Sequence, residues 1–507
     1  MREEMLPATV SEEDWANTAE SVKQLFYYLG EKVKQLEERV RVELEPRITA
    51  LEEENRYLRE QLGRNSSNSS QPPSTDAPDK KVEKKKPSSG KKRGGQKGHR
   101  GHWRELLPSE ECQKVEDCYP QQCRKCGKGL SGKDPAPYRH QVVEIPEIKR
   151  QVEEYRLHQL ECEHCGTLTR AKLPALVPES GYGVRVIAIA AILSGLYRLS
   201  ERMLQTAMKD LFGVTMALGT VNALRQETSS AIAAPVEQAA EYVKQQPIIN
   251  SDETGFMQGN ADGKNPEQRK AWRWVAVTEL VTVFRVTLSR SQQSAQQLLG
   301  IAISAILITD RWTAYNWLAI RQRQLCWAHL KRDFTKISER RRISGQIGKQ
   351  LLEQEKLLFT YWHRVRDGTL KRSSFTIYAS VIRQRVKALL QEGADYEPAK
   401  GEQTARARTA RTCEELLKLE AAMWLFVRVP GVEPTNNAAE RAIRHFVLWR
   451  KNSFGAQSAE GSLFVARILT VVMTLRAQNR NVLDYFVQAC QAAREGKAAP
   501  SILPVAA

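Results

Sequence analysis

The sequence predicts a multidomain α/β protein. A sheet-bearing domain with an all-helical insertion follows a coiled coil, a basic linker, a cysteine-stapled ribbon and a helical segment. Three observations predict this. Two apolar runs, at 247–252 and 303–310, each end in an Asp, as at the tip of a buried strand; between them lie two runs rich in β-branched and aromatic residues. Leu44, Leu51 and Leu58 recur every seven residues. Cys123-x-x-Cys126-Gly and Cys162-x-x-Cys165-Gly repeat one pattern about 36 positions apart.

The 507 residues are enough for two to four domains and a large core. Hydrophobic residues at 41% and charged residues at 27% are ordinary for a soluble globular chain. Lys and Arg number 77 against 59 Asp and Glu, a net charge of +18. Such an excess favours a polyanionic partner, nucleic acid first among them, although solubility alone also accounts for it. The N-terminus is acidic and lacks the apolar segment of a signal peptide, and the apolar run 184–193 is too short to span a bilayer. A cytoplasmic protein with no membrane partner is expected. Nine cysteines in a chain this long do not suggest a disulfide scaffold; their pairing suggests metal.

Residues 20–62 read as a coiled-coil helix. Ile48, Asn55 and Leu62 form the companion series to the leucines, with Asn55 a polar seam residue that can set register and partner number. An earlier set, Leu29, Val33, Leu36 and Val40, is out of phase with them, and Pro46 near the slip is expected to start or kink the second segment. Self-association into a homo-oligomer is one reading; a solvated single helix is the other. Residues 63–104 read as a disordered basic linker. Within it, residues 80–104 hold eleven Lys or Arg against one Glu, and Lys91, Lys92, Arg93 and Lys97 are candidate phosphate contacts that ignore base sequence.

Residues 112–178 form the next unit. Each knuckle puts two thiolates on a tight turn, and strands are expected at 143–145 and 152–160. Cys123, Cys126, Cys162 and Cys165 would then make a tetrahedral Zn²⁺ site, a zinc ribbon with a structural role. Residues 182–246 read as helices. Two of them, 198–210 and 218–229, flank a Gly-containing turn, the outline of a helix-turn-helix with Arg225 on the second helix; an ordinary helical hairpin fits equally.

The sheet domain is expected over 247–480. A strand ends near Asp252, a hairpin of 272–278 and 281–288 follows, then a short helix at 291–299 and a strand over 303–309 that delivers Asp310. This is the layout of a ribonuclease-H-like sheet. Residues of about 331–425 read as the helical insertion, and 481–507 as a C-terminal helix and tail. Glu440 lies among alanines on a helix, with Asn436 or Asn437 to cap it and Arg441, Arg444 and Lys451 following as candidate phosphate contacts. Three carboxylates brought together, Asp252, Asp310 and Glu440, can hold two Mg²⁺ or Mn²⁺ ions for phosphoryl displacement. Glu433 and Glu460 are the rivals to Glu440, and strand alternation sends Glu253 to the face opposite Asp252. Trp312 and Trp327 fit either base stacking or the core.

These stretches resemble the transposases of the insertion-sequence 66 family. Further marks of the resemblance are Leu62-Gly63-Arg64-Asn65-Ser66-Ser67-Asn68-Ser69-Ser70-Gln71-Pro72-Pro73-Ser74, Gly94-Gly95-Gln96-Lys97-Gly98-His99 and Cys326-Trp327-Ala328-His329-Leu330-Lys331-Arg332. It runs from about residue 40 to about 480 in the family's order. It implies that Asp252 and Asp310 sit on neighbouring central strands and that Glu440 completes an acidic trio. It also implies that the pair Cys326 and His329 has an architectural or DNA-positioning role. The chain departs from the family at Gly255, after the Thr of the first motif, and at Arg311-Trp312 in the second. The function implied is a bacterial, nucleoid-associated DNA transposase. It would bind element ends, cut them and transfer the 3′-hydroxyls to target DNA, with accessory proteins of the element as possible partners. Two alternatives share these features: a nuclease of the same fold without strand transfer, and a non-catalytic DNA-binding regulator of transposase descent.

Overall fold

The computed structural model describes residues 11–62, 69–70, 104–175, 177–453 and 455–505. The linker residues Lys91, Lys92, Arg93 and Lys97 lie outside the described residues. In chain order the elements begin with α1 (Glu12–Ala16), α2 (Glu20–Arg39), a π-helical turn (Val40–Leu44) and α3 (Glu45–Leu62). A small hairpin, β1 (Gln159–Glu161) and β2 (Leu168–Arg170), precedes α4 (Val184–Gly195), α5 (Glu201–Phe212), α6 (Leu218–Ala231) and α7 (Ala233–Lys244). Then come β3 (Ile248–Phe256), β4 (Ala271–Val277), β5 (Thr282–Thr287), α8 (Gln292–Leu299), β6 (Ile306–Thr309) and β7 (Arg323–Leu325). Helices follow: α9 (Trp327–Ser338), α10 (Arg342–Arg366), α11 (Arg372–Ala394), α12 (Ala405–Lys418) and α13 (Leu425–Arg428). The last three are α14 (Asn437–Ser453), α15 (Ala459–Ala477) and α16 (Val482–Arg494). By its contacts the chain divides into two compact units. One holds Met1–Lys84, Lys331–His363 and Val381–Glu414; the other holds Lys85–Leu330, Arg364–Ser380 and Glu415–Ala507.

In the first of these units the helical run from α2 to α3 passes Pro46 without a break. The sequence expectation that Pro46 starts or kinks the second segment is met in this form: Pro46 is the second residue of α3, and the slip is taken up in the π-helical turn just before it. After Leu36 and Val40 the heptad rhythm calls for an apolar residue at 43, and the chain supplies Leu44. A π-turn accommodates one extra residue, and it spans this step. The ring of Pro46 would crowd the carbonyl of Val42, which lies within the same turn. Leu29, Val33, Leu36, Val40, Leu44, Ile48, Leu51 and Leu58 are all about half exposed. Elsewhere in this unit the buried Glu355 accepts Lys331 Nζ at 3.0 and 3.1 Å, and Gly393 lets α11 approach Cys413 of α12.

In the other unit a five-stranded sheet has the order β5-β4-β3-β6-β7. β5, β4 and β3 are antiparallel neighbours, whereas β6 and β7 run parallel to β3. The core gathers Ile249, Phe256, Trp274, Val275, Leu307, Tyr315, Phe446, Leu469 and Val472 around the sheet and α14–α15. The outer edge of β5 is covered by α15. Thr474 Oγ1 accepts the Thr282 N–H at 3.1 Å and donates to the Thr282 carbonyl at 3.1 Å, and Thr470 Oγ1 accepts the Phe284 N–H at 3.0 Å. Three of the groups that a bare edge would offer to another chain, at the start of β5, are thereby satisfied. β7 was not expected from sequence. Its Arg-Gln-Leu is polar yet fully buried, because Gln324 donates to the Met423 carbonyl at 3.1 Å and accepts the Phe426 N–H at 2.9 Å.

The strands expected at 143–145 and 152–160 are absent apart from β1. Val142, Val143, Ile145 and Val152 are largely exposed and meet no partner strand, and β-branched residues do not form a strand without one. No helix among the described residues is long and apolar enough to cross a membrane.

Candidate active site

The site grows from the parallel pairing of β3 and β6. Ile248, Ile249 and Asn250 lie opposite Ile306, Leu307 and Ile308. Continuing that register two residues brings Asp252 level with Asp310, and level residues of parallel neighbours share a face. Thr309 and Asp310 are held from beneath by the buried Arg323. It bonds Thr309 Oγ1 at 3.1 Å, Asn316 Oδ1 at 2.8 Å and the Asp310 and Trp312 carbonyls at 2.9 and 3.1 Å. The Trp312 N–H donates to Asp310 Oδ1 at 2.9 Å, which fixes the carboxylate rotamer.

Glu440 arrives on the first turn of α14. The chain just before it is stitched to the sheet. The Trp327 N–H donates to the Pro434 carbonyl at 2.9 Å, the Asn436 N–H to Cys326 Sγ at 3.2 Å, and the Asn436 amide to the Ser251 carbonyl of β3 at 2.7 Å. Asn436, fully buried, therefore uses its side chain as a tie to β3, not as a helix cap. Further along α14, Arg450 bonds the Gly255 carbonyl at 2.9 Å. Glu440 Oε1 lies 3.5 Å from His329 Nδ1 and 4.0 Å from Cys326 Sγ. Cys326, His329 and Glu440 form a three-donor cluster that could hold a metal ion. Burial pushes the Cys326 thiol up to about 11.

The electrostatics of the site are dominated by carboxylates. Asp252 is surrounded by protein atoms although its edge reaches solvent. Burial first, then the charges of Glu253, Asp310 and Glu440, raise its carboxyl well above the usual range. Glu440 is thus close enough to act on Asp252. Glu433 is an exposed residue, and Glu460 pairs with Lys264 at 3.0 Å and Gln226 at 3.2 Å elsewhere. Carboxylate oxygens are the donors that suit hard divalent cations such as Mg²⁺ or Mn²⁺.

Sequence reasoning set Glu253 aside as facing away. Its side chain is fully buried and engaged: Tyr315 donates to Oε2 at 2.7 Å, and Arg290 donates to Oε1 from Nε at 2.8 Å and from an Nη at 2.5 Å. The same Nη stands 4.0 Å from Asp310 Oδ2, so one guanidinium faces both carboxylates. Arg290 also lies over the Trp312 ring at 3.8 Å and the Trp272 ring at 4.9 Å. Its only sequence signal is a place between a strand and the Ser291 cap of α8, which names no partner.

Among the other candidates, Arg441, Arg444 and Lys451 are exposed on α14. Arg225 bonds Glu201 at 2.9 Å and lies over Phe464, with its side chain only 16% exposed. With Asn222 and Gln226 it lines an open cavity of about 530 Å³ that residues of α15 also line. Trp327 is a core residue, bonded to the Met423 carbonyl at 2.7 Å and set edge-on to Trp424.

The two cysteine knuckles have one geometry. The Cys123 N–H donates to the Lys128 carbonyl at 2.8 Å and the Gly127 N–H to Cys123 at 2.9 Å; Cys162, Thr167 and Gly166 repeat this at 3.0 and 2.8 Å. Gly127 and Gly166 stand at φ 70° and 69°, a turn that disfavours a side chain. Backbone N–H groups of Cys126 and Lys125 lower the Cys123 thiol, and Thr167 lowers that of Cys165. No three of the four thiols approach within 4.8 Å of one another.

A family model described as Transposase IS66 family matches residues 190–463. Another, described as Family of unknown function (DUF6444), matches residues 15–105. The chain is 26% identical over 219 residues to the uncharacterized protein y4qI of Sinorhizobium fredii (strain NBRC 101917 / NGR234). The match covers 41% of this chain and 39% of that curated relative.

Proposed function

The chain belongs to the Transposase IS66 family, and from that premise we propose that it cuts the ends of a DNA element and joins their 3′-hydroxyls to target DNA at Asp252, Asp310 and Glu440. The observation that supports this reading is that Asp252 and Asp310 continue the parallel pairing of β3 and β6 while the charge of Glu440 on α14 acts on Asp252, although the carboxylate oxygens of the three do not all come within 4.8 Å of one another. The sheet order supports a ribonuclease-H-like domain, with three antiparallel strands continued by two parallel ones.

Asp252, Asp310 and Glu440 would hold two Mg²⁺ or Mn²⁺ ions. When bound, the pair supplies activation of the attacking hydroxyl and neutralises charge on the leaving oxygen. Asp310 is presented by the Trp312 N–H, with Arg323 fixing the loop beneath it. Glu440 is presented by the ties of Asn436, with Cys326 and His329 beside it as positioning residues. Arg441, Arg444 and Lys451 form an exposed cationic strip on the same helix for phosphates on either side of the cut. Cys123, Cys126, Cys162 and Cys165 would hold a structural Zn²⁺; their matched, N–H-rich turns are the donor setting thiolates need. The heptad seam would pair two copies of the chain, because two element ends must be brought together.

A cleavage and joining assay on labelled element-end DNA with Mg²⁺ tests the proposal, comparing wild type with Asp310→Asn. Cleavage and joined product from wild type alone is the expected result. Cleavage with no joined product would mean a nuclease, and equal activity of the two proteins would remove Asp310 from the site.

A further inference from the structure

We propose that Arg290 is a preformed phosphate-binding residue of the candidate site, whose unengaged Nη takes a non-bridging oxygen of the DNA backbone beside Asp310. The inference rests on the reading that this site acts on DNA. Arg290 spends Nε and one Nη on a single oxygen of the fully buried Glu253, and among the described residues its second Nη makes no hydrogen bond. The guanidinium plane is fixed by the Trp312 and Trp272 rings, and the Arg290 carbonyl accepts Trp312 Nε1 at 3.3 Å. Side chain and backbone are therefore both immobilised before any substrate arrives, so little further rotamer freedom is lost on binding.

A guanidinium remains charged at any pH the protein meets, and its planar fork matches phosphate geometry. The Nη that bonds Glu253 stands 4.0 Å from Asp310 Oδ2, beyond hydrogen-bond reach of that carboxylate, which leaves Asp310 to the metal ions. Arg290 keeps 28% of its side chain exposed while that of Glu253 is fully buried. Glu253 acts as the counter-charge that aims the arginine. Because Glu253 and Tyr315 are bonded to each other, the aim is carried back into the core.

The experiment uses the full chain and element-end duplexes carrying one neutral methylphosphonate linkage, moved stepwise across the cut. In wild type, neutralising the linkage that faces Arg290 should weaken binding about tenfold to a hundredfold, the worth of one charge-assisted hydrogen bond. Arg290→Gln should bind the unmodified duplex correspondingly less well and be indifferent to that one linkage, while responding normally elsewhere. Arg290→Lys, which keeps the charge and loses the fork, should give an intermediate profile and serves if the Gln variant melts early. Identical profiles for wild type and both variants would assign Arg290 to a purely structural pairing with Glu253 and overturn the inference. If wild type bound and cut no element-end DNA, the underlying reading would fall, and this inference with it.

Discussion

Asp252 sets one carboxylate against three others, and its raised pKa has a calculable sign. A group whose folded pKa lies above its unfolded value supports the fold below the unfolded pKa and loses that support as pH rises through the folded value. Metal-free protein should therefore melt at lower temperature as pH climbs above the ordinary carboxylate range, and Mg²⁺ should restore the loss. Asp252→Asn should flatten the pH dependence, abolish the response to Mg²⁺ and lower cleavage by roughly a hundredfold to a thousandfold. Melting curves against pH, with chelator and with Mg²⁺, decide this; an unchanged Mg²⁺ response in the variant would separate Asp252 from the metal. Asp310 follows the last residue of β6 as its apolar run predicts, whereas Asp252 does not end its strand: β3 runs on to Phe256, because Glu253–Phe256 find partners in β4. Glu253 and Arg290 were not legible. Alternation gave Glu253 a face but no partner, and its partners Arg290 and Tyr315 stand 37 and 62 residues away. Arg225 was misleading in the opposite way: helix position suggested an outward side chain, and tertiary pairing with Glu201 and Phe464 turned it inward.

Among the elements, α15 illustrates how a helix closes a sheet edge through hydroxyls. Thr474→Val keeps the shape and removes both bonds to Thr282, so a loss of about 1–3 kcal/mol is expected. Urea denaturation measures it, and a cost near zero would mean that water replaces the hydroxyl. For the helical run of α2 and α3 the expectation is geometric. Deleting Val42 removes the surplus residue, so the two apolar series fall into one heptad rhythm and self-association should persist or tighten. Inserting an alanine there doubles the slip and should weaken it. Sedimentation equilibrium of the two proteins distinguishes these outcomes, and equal behaviour would exclude the seam as the pairing surface. The long helices, the hairpin and β6 were legible from their periodicity. β7 was not, since three polar-flanked residues carry no period, and the π-turn was visible only as a phase error.

At the scale of the whole molecule, the cysteine knuckles and the charge pattern make separate predictions. Zinc analysis of the native protein should give one ion per chain. Cys162→Ser should abolish it and open 112–178 to protease while leaving the rest of the chain folded; full occupancy in that variant would contradict a four-thiol site. Architecture was legible as far as local patterns reach: the all-helical character of the stretch after β7 and the tight turns of the two knuckles. It stopped where long-range packing decides, as with the ribbon strands that found no partner.

One hydrogen bond has an evolutionary consequence. The Trp327 N–H meets the Pro434 carbonyl, so the chain leaves the sheet and returns to it at the same point. Everything between is topologically a single loop, and the entropic cost of closing a loop rises only slowly with its length. Duplication, trimming or exchange of the helices from α10 to α12 can thus proceed without moving Glu440, provided that the stitch and the contacts of Met423 and Phe426 with β7 survive. That makes the excursion the natural place for lineages to diverge and for an engineer to graft a foreign domain.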